Sequence, residues 1–205
     1  MMLPKLALGL LVVAMVTASA IFAQAQGSRN TASEPVVIKV PVMFSGGYET
    51  DRRDGGRPVV LVAAGLGVTA EKFREAFSGV TPARGGAPEP AQVQRNKQAL
   101  MKVLGPLGIT NDRLDEVSNF YRYRPQEGEL WKHNPAKAYA MVKDGVVTGF
   151  EIAEAGYGYS SMPKVSIDGM PGVKVVATIA FSTDLQKNGG VTQLAVDGAA
   201  TQPAR

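Results

Sequence analysis

Along residues 143–167 the apolar positions alternate, break at a glycine–tyrosine corner, and alternate again. Lys143-Asp144-Gly145 opens the stretch and suits a tight hairpin turn that needs positive φ. Val147-Thr148-Gly149-Phe150-Glu151-Ile152 then puts one apolar set on one face of a strand. A reduced copy returns as Lys187-Asn188-Gly189-Gly190-Val191-Thr192-Gln193-Leu194-Ala195-Val196, so a second turn of the same kind is expected there. It lacks the Gly-Tyr corner and continues Asp197-Gly198-Ala199-Ala200 instead.

Before residue 124 the period is helical. Residues 35–44 are the exception: they are β-branched and read as an edge strand, since Pro41 lacks the N–H that a central strand would need. A glycine-bracketed charged loop, 45–57, follows. Pro58 then starts a helix over 59–66 that is apolar on nearly every side and should be buried, with Gly67 ending it. Thr69 caps the next helix, whose Phe73, Ala76 and Phe77 face inward with Val68. Residues 81–90 carry three Pro and two Gly and form a loop. Val93, Leu100, Val103 and Leu104 form the stripe of a helix over about 91–104, stopped by Gly105-Pro106. Thr110 or Asn111 caps another helix that runs to about Tyr123, with Leu114, Val117 and Tyr121 on its inner face.

The expected fold is therefore α+β: a short bundle of three to five helices followed by a small antiparallel β unit, preceded by a signal peptide. Residues 1–25 read as that signal, 26–34 as a flexible lead-in, 35–140 as edge strand plus helical region, and 141–200 as the β-repeat region. The signal reading rests on a basic start through Lys5, an apolar stretch over 6–23, and Ala23-Gln24-Ala25 ahead of Gln26. The rival is an uncleaved anchor, because the apolar stretch approaches the roughly 20 residues that span a bilayer. With cleavage, no membrane span remains.

Composition removes several chemistries. There is no Cys, hence no disulfide, thiol nucleophile or thiolate metal site, and the single His cannot build a multi-histidine zinc site. A net charge of +4 over 205 residues is too mild for a nucleic-acid footprint, so no nucleic-acid partner is expected.

The stretch Val147–Ile152, then Gly156-Tyr157-Gly158-Tyr159, then Pro163-Lys164-Val165-Ser166-Ile167 resembles the VTxIxVxxxGxGYxxxPxVxI β-repeat of bacterial surface and phage-tail proteins. That resemblance implies an extracellular β scaffold and no reaction. The segments Gly46-Gly47-Tyr48-Glu49-Thr50-Asp51, Arg57-Pro58-Val59-Val60-Leu61, Phe73-Arg74-Glu75-Ala76-Phe77 and Asn111-Asp112-Arg113-Leu114-Asp115-Glu116-Val117 are similar to uncharacterised secreted proteins of planctomycete-type bacteria. This likeness carries no activity and no catalytic residues.

The remaining motifs are weak as chemistry. Ser161-Met162-Pro163-Lys164 fits the S-x-x-K of serine acyl-enzymes, but that pattern needs a helix, and an alternating strand follows here. Gly156-Tyr157-Gly158 echoes a dinucleotide-binding turn, again without its helix; a β corner with tyrosines on its outside is expected. Glu49, Asp51 and Asp54 could hold a hard cation through oxygen, yet Arg52, Arg53 and Arg57 lie among them, so an ionic loop locking the first helix to the sheet is preferred and no metal or cofactor is assigned. His133 is read as a solvated loop histidine. Tyr121, Arg122, Tyr123, Trp131 and His133 form the candidate binding surface, since interleaved aromatics and cations stack on sugars or bases and meet anions; the alternative is an ordinary helix end whose tyrosines cover the core.

The leading expectation is an exported non-enzymatic structural or interaction module of the cell envelope or exterior, periplasmic or extracellular. Its partner would be an envelope protein or polysaccharide, and a homodimer could form by edge pairing of the last strand near 191–196. The alternative is a carboxylate-dependent hydrolase or lyase of envelope polysaccharide using Glu49, Asp51 or Asp54. A third class, an inhibitor or small-ligand binder, predicts a concave aromatic pocket in the Tyr121–Trp131 region.

Overall fold

In the computed structural model, which describes residues 36–81, 89–124 and 127–198, the β-branched run Val37–Ser45 forms strand β1. The expected signal segment and lead-in lie outside the described residues, as does most of the loop 81–90. After a 3-10 turn at Arg52–Asp54 come helices α1 (Val59–Leu66), α2 (Ala70–Phe77), α3 (Pro90–Leu104) and α4 (Asn111–Phe120). Strands β2 (Lys137–Lys143), β3 (Val146–Glu154), β4 (Lys164–Ile167), β5 (Val175–Ala180) and β6 (Gly190–Val196) complete an α+β fold. Among the described residues there are four α-helices and one six-stranded antiparallel sheet, in the order β3-β2-β1-β4-β5-β6. No helix among them is long and apolar enough to cross a membrane.

β1 is therefore central, not an edge strand. Pro41 is tolerated because β4 covers only the second half of β1, from the Val42–Ile167 rung onward. The Pro41 carbonyl accepts the Asp168 amide at 3.1 Å. A residue's N–H and C=O point to the same side of a strand, so the missing N–H faces the region just past the end of β4 and breaks no rung. On its other side Pro41 lies opposite Tyr139 of β2. The helical and β regions thus share one sheet, with the helices inserted between its central strand and β2.

The two edges of the sheet approach each other. β3 and β6 are in contact, and the Val191 amide donates to the Ala155 carbonyl at 2.9 Å, so the sheet is nearly closed into a barrel. The edge expected to be open over 191–196 is consequently occupied at its start. Six strands enclose less room than the eight whose interior side chains just fill a barrel. The inward positions of β2 and β5 suit that narrow space: Ala138, Ala140 and Ala177 are buried, with Tyr159 filling the volume that they leave.

Local signals place the helices. Thr69 and Thr110 each accept, through the side-chain oxygen, the amide three residues on (Lys72 and Arg113, both 3.1 Å), which is worth about 1 kcal/mol per cap. Gly67 closes α1 in the left-handed region at φ 74°. α1 is buried on most sides as its sequence demands, and Gly65 lets α4 and the 182–189 loop come close: a Cβ there would lie 2.9 Å from Leu185 and 3.1 Å from Val117. Arg113 of α4 staples this junction, donating to the Gly65 carbonyl at 2.6 Å, to the Thr183 carbonyl and to Glu116 at 2.6 Å. α3 is held less deeply than its stripe suggests. Leu104 is buried, Leu100 and Val103 are half-buried, and Val93 is exposed, because α3 packs chiefly on α2 and its first turns run past that support.

Two apolar clusters result, one among the helices and one inside the sheet, and Tyr48 packs against both. Its ring stacks on Tyr159 at 5.4 Å and meets Trp131 edge-on at 6.2 Å. The Gly-Tyr corner forms this seam. A Cβ on Gly156 would sit 2.5 Å from the Asn134 carbonyl oxygen, and one on Gly158 2.7 Å from His133, so both glycines are required by close approach as well as by positive φ. Tyr159 points inward rather than outward, its hydroxyl accepting the Ala136 amide at 3.0 Å. The corner supports no dinucleotide, because a strand follows it.

The two Lys-Asx-Gly copies diverge. Asp144 (φ 51°) and Gly145 (φ 76°) make the expected hairpin turn between β2 and β3. Asn188 does not turn this way. It is fully buried, with its side-chain amide donating to the Leu61 carbonyl (2.8 Å) and its side-chain oxygen accepting the Ser182 amide (3.1 Å), so it pins the β5–β6 connection onto α1.

Candidate functional site

The acidic loop is an internal brace. Asp51 caps the 3-10 turn, accepting the Arg53 amide at 2.9 Å, and pairs with the Arg53 guanidinium at 2.7 Å. The Arg53 guanidinium, followed by that amide, holds the Asp51 carboxyl far below the usual carboxylate range. Asp54 is buried and gripped by Arg74 of α2 through two 2.8 Å hydrogen bonds. The loop therefore locks onto α2, not the first helix onto the sheet. Of the arginines expected to neutralise these acids only Arg53 does so, joined by Arg74; Arg57 meets only the Asp54 backbone carbonyl, at 3.3 Å.

Glu49 is turned toward the sheet. Its carboxylate accepts the Ser161 hydroxyl and the Gly47 amide, and its own amide donates to Ser161 Oγ at 3.2 Å. The Ser161 hydroxyl is the main cause that lowers the Glu49 carboxyl below its ordinary value. Ser161 thus serves Glu49, while Lys164 opens β4, and the S-x-x-K spacing brings together no nucleophile and base. A general acid works best with a raised pKa, whereas those of Glu49 and Asp51 are lowered, and Asp54 is held in an ion pair. No group of three or more His, Asp or Glu able to hold a metal occurs among the described residues, and the Asp51 and Asp54 oxygens and Glu49 Oε2 are already engaged.

The aromatic surface is divided by the fold. Tyr121 and Trp131 are interior side chains. The Trp131 indole N–H donates to the Gly158 carbonyl at 2.8 Å, and Tyr121 lies under the Leu185 backbone. His133 lies on the sheet side, its Nδ1 2.7 Å from the Trp131 carbonyl and its ring 4.6 Å from that of Tyr48. Arg122 is exposed and Tyr123 half-buried at the end of α4. The five expected residues do not form one surface.

Three of them do meet elsewhere. A cleft of about 240 Å³ opens between α1, α2 and the end of α4, and Tyr121, Arg122 and Tyr123 form one wall. Val62, Phe73, Arg57 and Phe77 also line the cleft, with the Arg57 guanidinium 5.1 Å from the Phe77 ring centre. Tyr123 is seated on Gly56, where a Cβ would come within 2.7 Å of the phenol oxygen. Neither Arg57 nor Arg122 pairs with a carboxylate among the described residues; Arg122 donates only to the Asn119 side-chain oxygen at 2.6 Å. The Arg57–Phe77 pair also borders a second, polar cleft of about 270 Å³ that includes Arg53 and Arg74.

Sequence reasoning missed Arg57, Phe73 and Phe77 as site residues. Phe73 and Phe77 were legible as an inward helix face, but nothing in their spacing says that the face is left partly uncovered beside α4. Comparison with protein-family models, curated proteins and solved structures finds no match to this chain.

Proposed function

We propose that this chain is an exported, non-enzymatic interaction module of the cell envelope or exterior, and that it engages its partner through the cleft between α2 and α4. The observation that carries the reading is the pairing of an apolar, aromatic-walled cleft with two lining arginines, Arg57 and Arg122, that no carboxylate of the described residues neutralises. Arginine and aromatic side chains dominate binding hot spots because they combine large contact area with directed donors. The engaged state of Glu49, Asp51 and Asp54 weighs against the polysaccharide hydrolase or lyase. Export rests on the basic, apolar and small-residue order of residues 1–25 and on the likeness to surface β-repeats.

The test is co-sedimentation of the purified protein with isolated bacterial cell envelopes at low and high salt. Wild type is compared with an Arg57→Ala/Arg122→Ala variant whose fold is checked by circular dichroism. Substitutions at Tyr121 or Trp131 are unsuitable because they would open the core. Binding by wild type that falls at least about tenfold in the variant, a loss of about 1.4 kcal/mol, is the expected result. No binding by wild type at either salt would overturn the envelope reading.

A further inference from the structure

Resting on that reading, we propose that the cleft takes a terminal carboxylate carried on an aromatic or branched aliphatic body, with the carboxylate at Arg57 and Arg122 and the body on Val62, Phe73 and Phe77. A guanidinium offers five N–H donors in a planar fork that matches a carboxylate. Arg57 gives one of its donors to the Asp54 carbonyl and Arg122 one to Asn119, so each keeps most of its fork for a ligand. The Arg57 guanidinium already lies against the Phe77 ring, which limits its motion and lowers the entropy lost on binding. Arg53 and Arg74 are neutralised by Asp51 and Asp54, whereas Arg57 and Arg122 pair with no carboxylate among the described residues.

The apolar lining selects the body of the ligand. Pro58, Val59, Val62 and Phe73 are buried side chains that offer no hydrogen bond, so a sugar or a nucleotide would lose its hydration there without return. A hydrocarbon body instead releases water from the apolar surface that the cleft leaves open, such as that of the half-buried Phe77 and Tyr123. The cleft, about 240 Å³, is below the roughly 300–1,000 Å³ usual for drug-sized ligands, which fits one side chain or one small acid. The same chemistry is presented by a free small acid and by the C-terminal residue of a peptide, and the test separates these sources.

The test titrates the full chain, followed by amide chemical shifts, with four probes: 3-phenylpropionate, its uncharged amide, a tripeptide ending in Phe with a free carboxylate, and the same tripeptide amidated. The expected result is that shifts centre on Phe77, Ser118 and Tyr123, and that each acid binds at least about tenfold more tightly than its amide, as loss of a paired charge implies. Arg57→Gln/Arg122→Gln should abolish that preference while leaving the protein folded. Tighter binding of the tripeptide than of phenylpropionate assigns the site to chain ends, and equal binding assigns it to free acids; both support the inference. Equal affinity for acid and amide, retained preference in the double variant, or no saturable shift with any probe overturns it. If envelope binding is lost in the arginine variant while no acid binds, the interaction reading survives and the ligand class is wrong. If the acids bind but envelopes do not, the reverse holds.

Discussion

Arg74 grips Asp54 with two guanidinium nitrogens, Nε on Oδ1 and Nη2 on Oδ2, each at 2.8 Å. The two partners are unequally buried: the Asp54 side chain is 4% exposed and that of Arg74 19%. Arg74 also has other acids in reach, Glu71 at 3.0 Å and Asp51 at 3.7 Å, whereas Arg74 is the only cation in a salt bridge with Asp54 among the described residues.

Removing either partner should therefore cost different amounts. Arg74→Met strands a carboxylate away from water and should lower stability by about 3 kcal/mol, at the low end for a broken buried pair. Asp54→Ala leaves a guanidinium that can turn to Glu71, Asp51 and solvent, and should cost about 1–2 kcal/mol. Urea unfolding of both variants measures the difference. Equal losses, or a larger loss for Asp54→Ala, would mean that the brace works by packing and not by the buried charge.

Asn188 gives a second contrast. Its amide donates to the Leu61 carbonyl while its oxygen accepts the Ser182 amide. Asn188→Ala leaves both groups unpaired in the interior and should cost about 2–3 kcal/mol. Asn188→Asp keeps the shape but sets an acceptor against an acceptor, so at neutral pH it should cost more than the alanine. The buried aspartate would hold its proton more tightly in the folded protein, and the protonated acid can donate to Leu61. The aspartate variant should thus regain stability as pH falls through its raised folded pKa toward the ordinary carboxylate range, about 4. Thermal unfolding from pH 7 to pH 4 checks this; a penalty that does not change with pH would rule out the donor role.

The tyrosines set an alkaline limit. Burial pushes the Tyr48 hydroxyl up to about 12, aided by Tyr159 beside it, and burial likewise pushes Tyr121 up to about 12. The folded state holds these protons more tightly than the unfolded chain does. The stabilisation is therefore complete below about pH 10 and is lost as pH rises from about 10 toward 12. In an ultraviolet titration of tyrosinate, the signals of Tyr48 and Tyr121 should lag behind or appear only with unfolding. Tyr121→Phe should remove one lagging group and flatten the alkaline loss of stability. Ionisation of Tyr48 and Tyr121 near pH 10 in a still-folded protein would contradict the assigned burial.

Local structure was legible in the residues themselves. Thr69 and Thr110 cap their helices, Gly67 ends α1 and Asp144-Gly145 turns the β2–β3 hairpin, because each outcome depends on backbone sterics and on groups within a few residues. The burial of α1 was equally plain, since a helix apolar on nearly every side has nowhere else to lie. Partners distant in sequence decided the rest. Pro41 sits in a central strand because β4 stops one rung short of it, and that length is set across the sheet. Lys187-Asn188-Gly189 repeats the tripeptide of the hairpin, yet Asn188 turns inward, where the carbonyl of Leu61, 127 residues earlier, takes its amide. Tyr121 and Trp131 carry the same ring-beside-cation pattern as a binding surface, and only packing against Leu185 and Gly158 decides that they lie inside. The cleft follows from the same cause. Arg57 and Arg122 belong to segments that meet only when α1, α2 and α4 bury their common face, and that assembly leaves both residues lining one cleft.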